Sequence, residues 1–300
     1  LLDHPSMDGV AANSIAGYLD ALPIERWAAA RLAADDKSPV VQPRGGFPGF
    51  EKQRKLTETL AKAGADFVPL TVDSHTRQGD YETAGELLSL SESSGNDYLN
   101  GFPIINHGCL VTRELFNNIT CPVSLRHGTP DARLVALNAL GAGITEIEGG
   151  GLSYSLPYAA RYPIDQALHC WQIVDRMCAL LSRPGRPIHR ESFGVLSATL
   201  VPPAMVVAIE LLELLMAANA GVKSFTVSFG QTGSTVQDLA LARAMRKMAT
   251  KILDRYGFPD VAVYLAYHHW MGAFPNDREA SSDLISAGTT TACLPGADKI

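Results

Sequence analysis

The sequence is short of several things, and each shortage closes a class of function. It has five cysteines in 300 residues (Cys109, Cys121, Cys170, Cys178 and Cys293), with no CxxC spacing among them. A scattered, odd-numbered set fits buried thiols in a reducing cytosol better than a disulfide framework. It lacks the uncharged apolar run of about 18 residues that a membrane-spanning helix needs. Its richest stretch, PPAMVVAIELLELLMAANAG, carries two glutamates and reads as a buried amphipathic helix with an aliphatic core stripe from Val206 to Met216. Basic excess is also missing. The 25 Lys and Arg stand against 31 Asp and Glu, a net charge of -6, which argues against nucleic acid, whose phosphates need a basic face. No signal peptide opens the chain. The glycine run Gly149 to Gly151 has no Gly-Lys-Ser/Thr after it and so is not a P-loop. The chain starts at Leu and ends on PGADKI, and further residues are expected at both ends.

What is present is an alternation. The runs PVVQPRGG, DFVPLTVDS, YLNGFPII, CPVSLRHG, ITEIEGG, IHRESFGV, KSFTVSFGQ and VAVYLAYHH read as strands. Between them lie stretches such as FEKQRKLTETLAKAG, PDARLVALNALGAG and IDQALHCWQIVDRMCALL, with apolar residues at spacings of three and four. Eight strand-helix units predict a (β/α)8 TIM barrel over residues 39–300, with residues 1–38 as a helical N-terminal extension. An open doubly wound sheet is the alternative.

Polar residues gather at the C-terminal ends of these runs. Arg44 follows the first, Asp73 and Arg77 the second, and Asn100 lies within the third. Arg126 and His127 follow the fourth, Glu148 the fifth and His268 the eighth. In a barrel that edge carries the active site, and the glycines beside these residues let a ligand approach the backbone. Neighbouring strands lie roughly 5 Å apart, so Arg44, Arg77 and Arg126 can converge on one pocket. The planar fork of arginine matches carboxylates, and three of them in an acidic protein predict a substrate with two carboxylates. The bland alternative is an ordinary rim ion pair for each. Glu148 is placed to hold a substrate ammonium or accept a proton. Tyr154 and Tyr158, four apart, share a side if the segment turns helical, although ordinary aromatic packing explains that spacing too. His268 and His269 in HHW invite a metal reading, but adjacent strand residues point to opposite faces, so no metal is expected.

Seven strings carry a resemblance: VQPRGGFP, ADFVPLTVDSHTRQ, LNGFPIINHG, RHGTPDARL, EGGGLSYSLPYA, LVPPAM and HHWMGAFPND. In this order, from about Ser38 to the end, they resemble the large catalytic (epsilon) subunit of glutamate mutase, also called methylaspartate mutase. The resemblance implies a TIM barrel that binds L-glutamate and rearranges its carbon skeleton to threo-3-methyl-L-aspartate by radicals, with adenosylcobalamin as cofactor. It implies a small cobalamin-binding partner subunit and a heterotetramer of two large and two small subunits in the cytoplasm. By matched motifs it makes Arg44, Arg77 and Arg126 the carboxylate ligands, Glu148 the catalytic contact to the amino group, and Tyr154 and Tyr158 substrate contacts. Thr71, Asn100, Pro157 and Phe193 would line the substrate or cofactor face.

One string is a near miss. Asp73, His75 and Gly79 approach the Asp-x-His-x-x-Gly signature of cobalamin-tail binding, but Gln78 stands where the glycine belongs. The resemblance assigns that signature to the small subunit and gives His75 no axial-ligand role. It also expects, beyond Ile300, a segment with a lysine and a glutamate that contact the cofactor's ribose. Two competitors remain at this point. A dicarboxylate barrel lyase would need a Schiff-base lysine or metal at a strand end, and Lys223 only starts a strand. A non-catalytic binding homologue would keep the arginine pocket alone.

Overall fold

Strand and helix alternate along the chain as the periodicity predicts. The computed structural model describes residues 1–34, 39–159, 161–199 and 201–300, the side chains of Leu156, Pro157, Val195, Ser197 and Thr199 excepted. Six parallel strands pair in sequence order: β1 (Val68–Thr71), β2 (Val123–Arg126), β3 (Glu146–Glu148), β4 (His189–Glu191), β5 (Ser224–Gly230) and β6 (Ala262–His268). Two short segments complete the ring. Lys299 bridges in parallel to Ala266 of β6 on one side and to Val40 on the other. The Val41 carbonyl then accepts from Asp66 N–H at 3.0 Å, at the entry to β1. Residues 39–42 and 298–300 thus serve as the first and last staves of a closed eight-membered (β/α)8 barrel.

Seven of the eight expected strands fall on staves; YLNGFPII does not. Asn100, Gly101 and Pro103 bend the chain there, and the proline has no N–H to give to a ladder. The segment keeps one bridge, Val72 to Phe102, and passes into a one-turn helix at Ile104–His107. The eighth stave is instead residues 298–300, between β6 and the Val40 segment, where Asp-Lys-Ile offers no β-branched run to announce a strand. Asp298 fixes that stave through its side chain, accepting from Leu265 N–H at 2.7 Å and from Arg246 Nη2 at 2.8 Å.

Helices cover the outside. The longer ones are α1 (Ala12–Ala21), α2 (Phe50–Lys62), α3 (Tyr81–Ser94), α4 (Arg133–Gly141), α5 (Ile164–Leu181), α6 (Pro203–Asn219), α7 (Thr235–Tyr256) and α8 (Arg278–Cys293). Alternate strand residues such as Leu70, Leu125, Ile147, Phe225, Val227 and Leu265 face them and form the main core. The opposite set faces the barrel axis and is polar: Ser124 and Arg126, Glu146 and Glu148, His189 and Glu191, then Ser224, Thr226 and Ser228. Branched aliphatic side chains dominate most barrel interiors of this kind. Among the described residues no helix is long and apolar enough to cross a membrane.

The N-terminal segment packs against the bottom of the barrel. Arg26 Nη1 donates to the Phe116 and Ile119 carbonyls at 3.0 and 3.1 Å. Thr145, just before β3, accepts from Ala28 N–H and donates to the Arg26 carbonyl. Between them Trp27 is fully buried in the main core. The expected boundary at Ser38 falls on residues 35–38, outside the described residues. Truncating the indole in Trp27→Ala is expected to cost about 3–5 kcal/mol. Urea unfolding measures this, and a loss below about 1 kcal/mol would contradict an integral N-terminal segment.

Candidate functional site

The axial polar residues meet near the C-terminal end of the strands. Arg126, at the end of β2, is almost fully buried. Its Nη1 lies 2.7 Å from Glu191 Oε1 and 3.5 Å from Glu146 Oε1, and its Nη2 lies 2.7 Å from Glu148 Oε1. Lys299 Nζ donates to Glu146 Oε1 at 2.5 Å and to Glu191 Oε2 at 2.8 Å. Ser124 Oγ also donates to Glu146 Oε1. Register accounts for the meeting, because Glu146 pairs with Ser124 and His189, and Glu148 with Glu191. Burial pushes the Glu148 carboxyl up from its ordinary value, against the opposing pull of Arg126 and Arg44. At Glu191 burial acts the same way, but Arg126 and Lys299 outweigh it and hold the carboxyl well below the usual range. Burial lowers the His268 imidazole to about 3, so the ring is neutral, 3.7 Å from Glu191 Oε1.

The other two arginines stand at the mouth. Arg44 Nη2 is 3.6 Å from Glu148 Oε2, with its side chain 38% exposed. Arg77 ends the one-turn helix Ser74–Arg77. Asp73 caps that helix, its Oδ1 accepting from His75 and Thr76 N–H at 2.9 and 3.0 Å. Arg77 Nε donates to the Asp73 carbonyl at 3.2 Å, and among the described residues no carboxylate pairs with its guanidinium. Desolvation lowers the Arg44 pKa; Glu148 opposes this, and the like charges of Arg126 and Arg77 push it further down. Arg44 is therefore close enough to both other arginines to feel their charge. Because YLNGFPII is not a stave, β2 lies directly beside β1, and Arg44, Arg77 and Arg126 follow three successive staves as expected. His75 faces Asp80 at 3.3 Å on the outer turn, where the Asp73 cap explains the DSHT string.

Aromatic rings wall one side. Tyr154 and Tyr158 lie on successive turns, as their spacing predicts, and stack with centroids 5.4 Å apart. Phe193 is buried edge-on beneath both, at 5.4 and 5.6 Å. Burial raises both tyrosine hydroxyls, so they stay protonated, although Arg77 pulls the other way. A Cβ at Gly128 would fall inside the Tyr154 ring, so the RHG glycine is required by this wall. Thr71 Oγ1 is buried without a protein partner, and the exposed Asn100 accepts from Ser74 N–H through Oδ1. The Pro157 side chain lies outside the described residues.

Buried charges behind the site hold its loops. Arg190, on the outer face of β4, donates to Ile147 O at 2.5 Å and Gly149 O at 2.9 Å, the carbonyls on either side of Glu148. Asp175 pairs with it at 2.7 Å, and its guanidinium lies 4.5 Å from the Trp171 ring centre. Helix α6, buried as its sequence suggests, contributes two buried carboxylates. Glu213 Oε1 accepts from Leu152 and Ser153 N–H at 2.7 and 3.0 Å, fixing the loop after β3. Glu210 Oε2 accepts from Ser228 N–H at 2.8 Å and from Ser192 Oγ. Burial raises the Glu210 carboxyl to about 8.

Glu146, Glu191 and Lys299 were not singled out by motif or strand-end position. Polar residues two apart within EIE and HRE were the available signal for the glutamates, since a period of two puts both on one face. Lys299 had none. Glu148, Glu191 and His268 present ligand atoms within 4.8 Å of one another, but Arg126 already supplies a cation to both carboxylates. His269 leaves the site, its Nε2 3.3 Å from Thr289 Oγ1, as strand alternation requires.

The fold and site define an α/β barrel with an ionic pocket at the C-terminal end of its strands. Residues 22–300 match the family described as Methylaspartate mutase E chain (MutE). The chain belongs to this family. It is 42% identical over 284 residues to the glutamate mutase epsilon subunit of Haloarcula marismortui, covering 94% of this chain and 57% of that protein. With the Treponema denticola subunit of the same name it shares 39% over 286 residues, covering 94% and 59%. The chain thus spans less than two thirds of the length of these relatives. An HMG-CoA lyase from Acinetobacter baumannii, solved with coenzyme A and 3-methylmalate, superposes with a TM-score of 0.53 at 13% identity, over 89% of this chain and 75% of that one. That likeness concerns the fold.

Glu210 sets a pH dependence. Its folded pKa, about 8, lies above the ordinary carboxylate value, so its contribution is fully present below about pH 4 and is lost as pH rises toward 8. Glu210→Gln is expected to flatten that decline and raise the melting temperature near pH 8. An unchanged pH profile of thermal unfolding would contradict a protonated Glu210.

Proposed function

We propose that the chain is the substrate-binding barrel of a glutamate mutase, interconverting L-glutamate and threo-3-methyl-L-aspartate by a radical rearrangement of the carbon skeleton. The observation that carries this reading is the charge layout, with Arg44 and Arg77 at the mouth, Arg126 buried below them, and Glu148 between Arg44 and Arg126. A dicarboxylate that also bears an ammonium is its complement. In this reading the arginines take the two carboxylates in charge-assisted hydrogen bonds and Glu148 takes the ammonium. Arg126 and Glu148 exchange each other for the substrate's opposite ends, so no buried charge is left alone. A monocarboxylate would leave a cation unpaired, which is costly in a dry pocket.

Little acid-base work falls to these residues. Their task is to keep both ends of the substrate fixed while its skeleton changes, and the neutral Tyr154 and Tyr158 hydroxyls can donate without adding charge. Phe193 backs that wall. The rim near β1 offers one polar handle: the Thr71 hydroxyl is buried without a protein partner, while Gly101 packs so closely on β1 that a Cβ there would lie 2.6 Å from the Thr71 carbonyl. By the resemblance, Thr71 and Asn100 at this rim, together with Pro157, would contact adenosylcobalamin. When bound, that cofactor supplies the radical that starts the reaction. The word "subunit" in the relatives' names supports a partner, for which we take a small cobalamin-binding subunit in a heterotetramer of two large and two small chains. Among the described residues the lyase alternative finds no free lysine at a barrel stave: Lys223 is exposed beside Asp260, and Lys299 is held between two carboxylates.

The test is an electron paramagnetic resonance spectrum of the protein assembled with a cobalamin-carrying small subunit, adenosylcobalamin and L-glutamate. A coupled cob(II)alamin and organic-radical signal is expected, with Arg77→Lys lowering kcat/KM at least about tenfold, because a point charge replaces a planar fork. No signal from an assembled complex would overturn the reading and leave a dicarboxylate-binding homologue.

A further inference from the structure

Lys299 belongs to no motif, yet its ammonium sits at the centre of the barrel. We infer that Lys299 is a positioning residue for substrate recognition: by neutralising Glu146 and Glu191 it leaves one edge of the Arg126 guanidinium free for a substrate carboxylate. The inference rests on the reading of Arg126 as a carboxylate ligand.

The guanidinium is used unevenly. Nη1 is the anchored end, in reach of Glu191 and Glu146 together. Nη2 touches Glu148, and the buried Nε has no protein partner. The Nε and Nη2 pair is one of the edges of arginine that match the two oxygens of a carboxylate. An unpaired buried N–H on that edge is what a ligand would satisfy.

The anchored end depends on the charge behind it. Two carboxylates around one Nη1 exceed the charge of a single guanidinium, and Glu148 adds a third. Lys299 supplies the second buried cation, 2.5 Å from Glu146 and 2.8 Å from Glu191. Without it, Glu146 would have only the Ser124 hydroxyl and a share of Arg126. Mutual repulsion of the carboxylates would then draw the guanidinium deeper and turn its free edge away from the mouth. The ammonium is held in place by barrel closure, because residue 299 bridges both Val40 and Ala266, and by the Phe67 ring, 4.6 Å from Nζ.

The experiment compares wild type, Lys299→Met and Lys299→Met/Glu146→Gln. L-Glutamate binding is read by calorimetry, and KM and kcat are read in the complex assembled with the small subunit and adenosylcobalamin. Lys299→Met is expected to weaken binding about tenfold or more and to raise KM more than it lowers kcat. The double variant removes one charge of each sign and is expected to recover to within about threefold of wild type. A role in packing alone would not be rescued this way. Wild-type affinity in Lys299→Met, or a double variant no better than the single, would overturn the inference. Should Lys299→Met fail to fold, the double variant decides: folded and binding supports the role, unfolded or non-binding overturns it. A wild type that binds no L-glutamate would instead sink the proposed substrate, and the inference with it.

Discussion

A guanidinium with three carboxylates around it has to be held in the middle of this barrel. That constraint organises much of what surrounds it. Charges removed from water are tolerated only when each has a partner with good geometry, so Arg126, Glu146, Glu148, Glu191 and Lys299 are stable as a set and costly as individuals. The set is assembled by the barrel itself. Parallel register aligns β2, β3 and β4, and alternation turns their polar residues toward the axis. Ring closure at residues 298–300 brings the last cation. Fold completion and site electrostatics are therefore one event. It also follows that this pocket answers to charge before shape, since its buried charges are already paired and a ligand must offer equivalent partners.

Around this centre, rigidity is built outward in layers. Glu148 cannot drift, because Arg190 holds the carbonyls on both sides of it and Asp175 and Trp171 hold Arg190. The loop after β3 is tied down by Glu213, and the same loop delivers Tyr154 to the wall over Gly128. Arg77 is delivered differently, by a single helical turn whose cap, Asp73, is written into the DSHT string. The buried elements grip the substrate's expected position, while Arg44 and Arg77 remain at the opening with more freedom.

Strand-end chemistry made part of this legible in sequence. Arg44, Arg77, Arg126 and Glu148 each follow a recognisable strand or lie at its end, and an arginine or glutamate there reads as functional in a barrel. The shared side of Tyr154 and Tyr158 was legible in their spacing, but spacing alone favoured ordinary packing, and only the resemblance pointed to substrate contact. The rest was hidden for physical reasons. YLNGFPII has the apolar and aromatic content of a strand, and only its proline and glycine warn of the bend. Residues 298–300 carry no strand signal because their pairing is imposed from both sides. Glu191 was readable only through the period of two in HRE, and Lys299 matters through partners far away in sequence, which no local pattern encodes. The helix bearing Glu210 and Glu213 was legible as buried, but the backbone N–H groups its two carboxylates accept from lie in loops and strands that no local pattern links to it.

The central claim is an exchange of partners, in which Arg126 and Glu148 release each other to take the substrate's carboxylate and ammonium. A crystal structure of the protein with L-glutamate bound tests it most directly. The account predicts a carboxylate on the Nε and Nη2 edge of Arg126, the ammonium on Glu148, and the 2.7 Å contact between Arg126 and Glu148 lengthened. L-Glutamate bound elsewhere, with that contact intact, would contradict it.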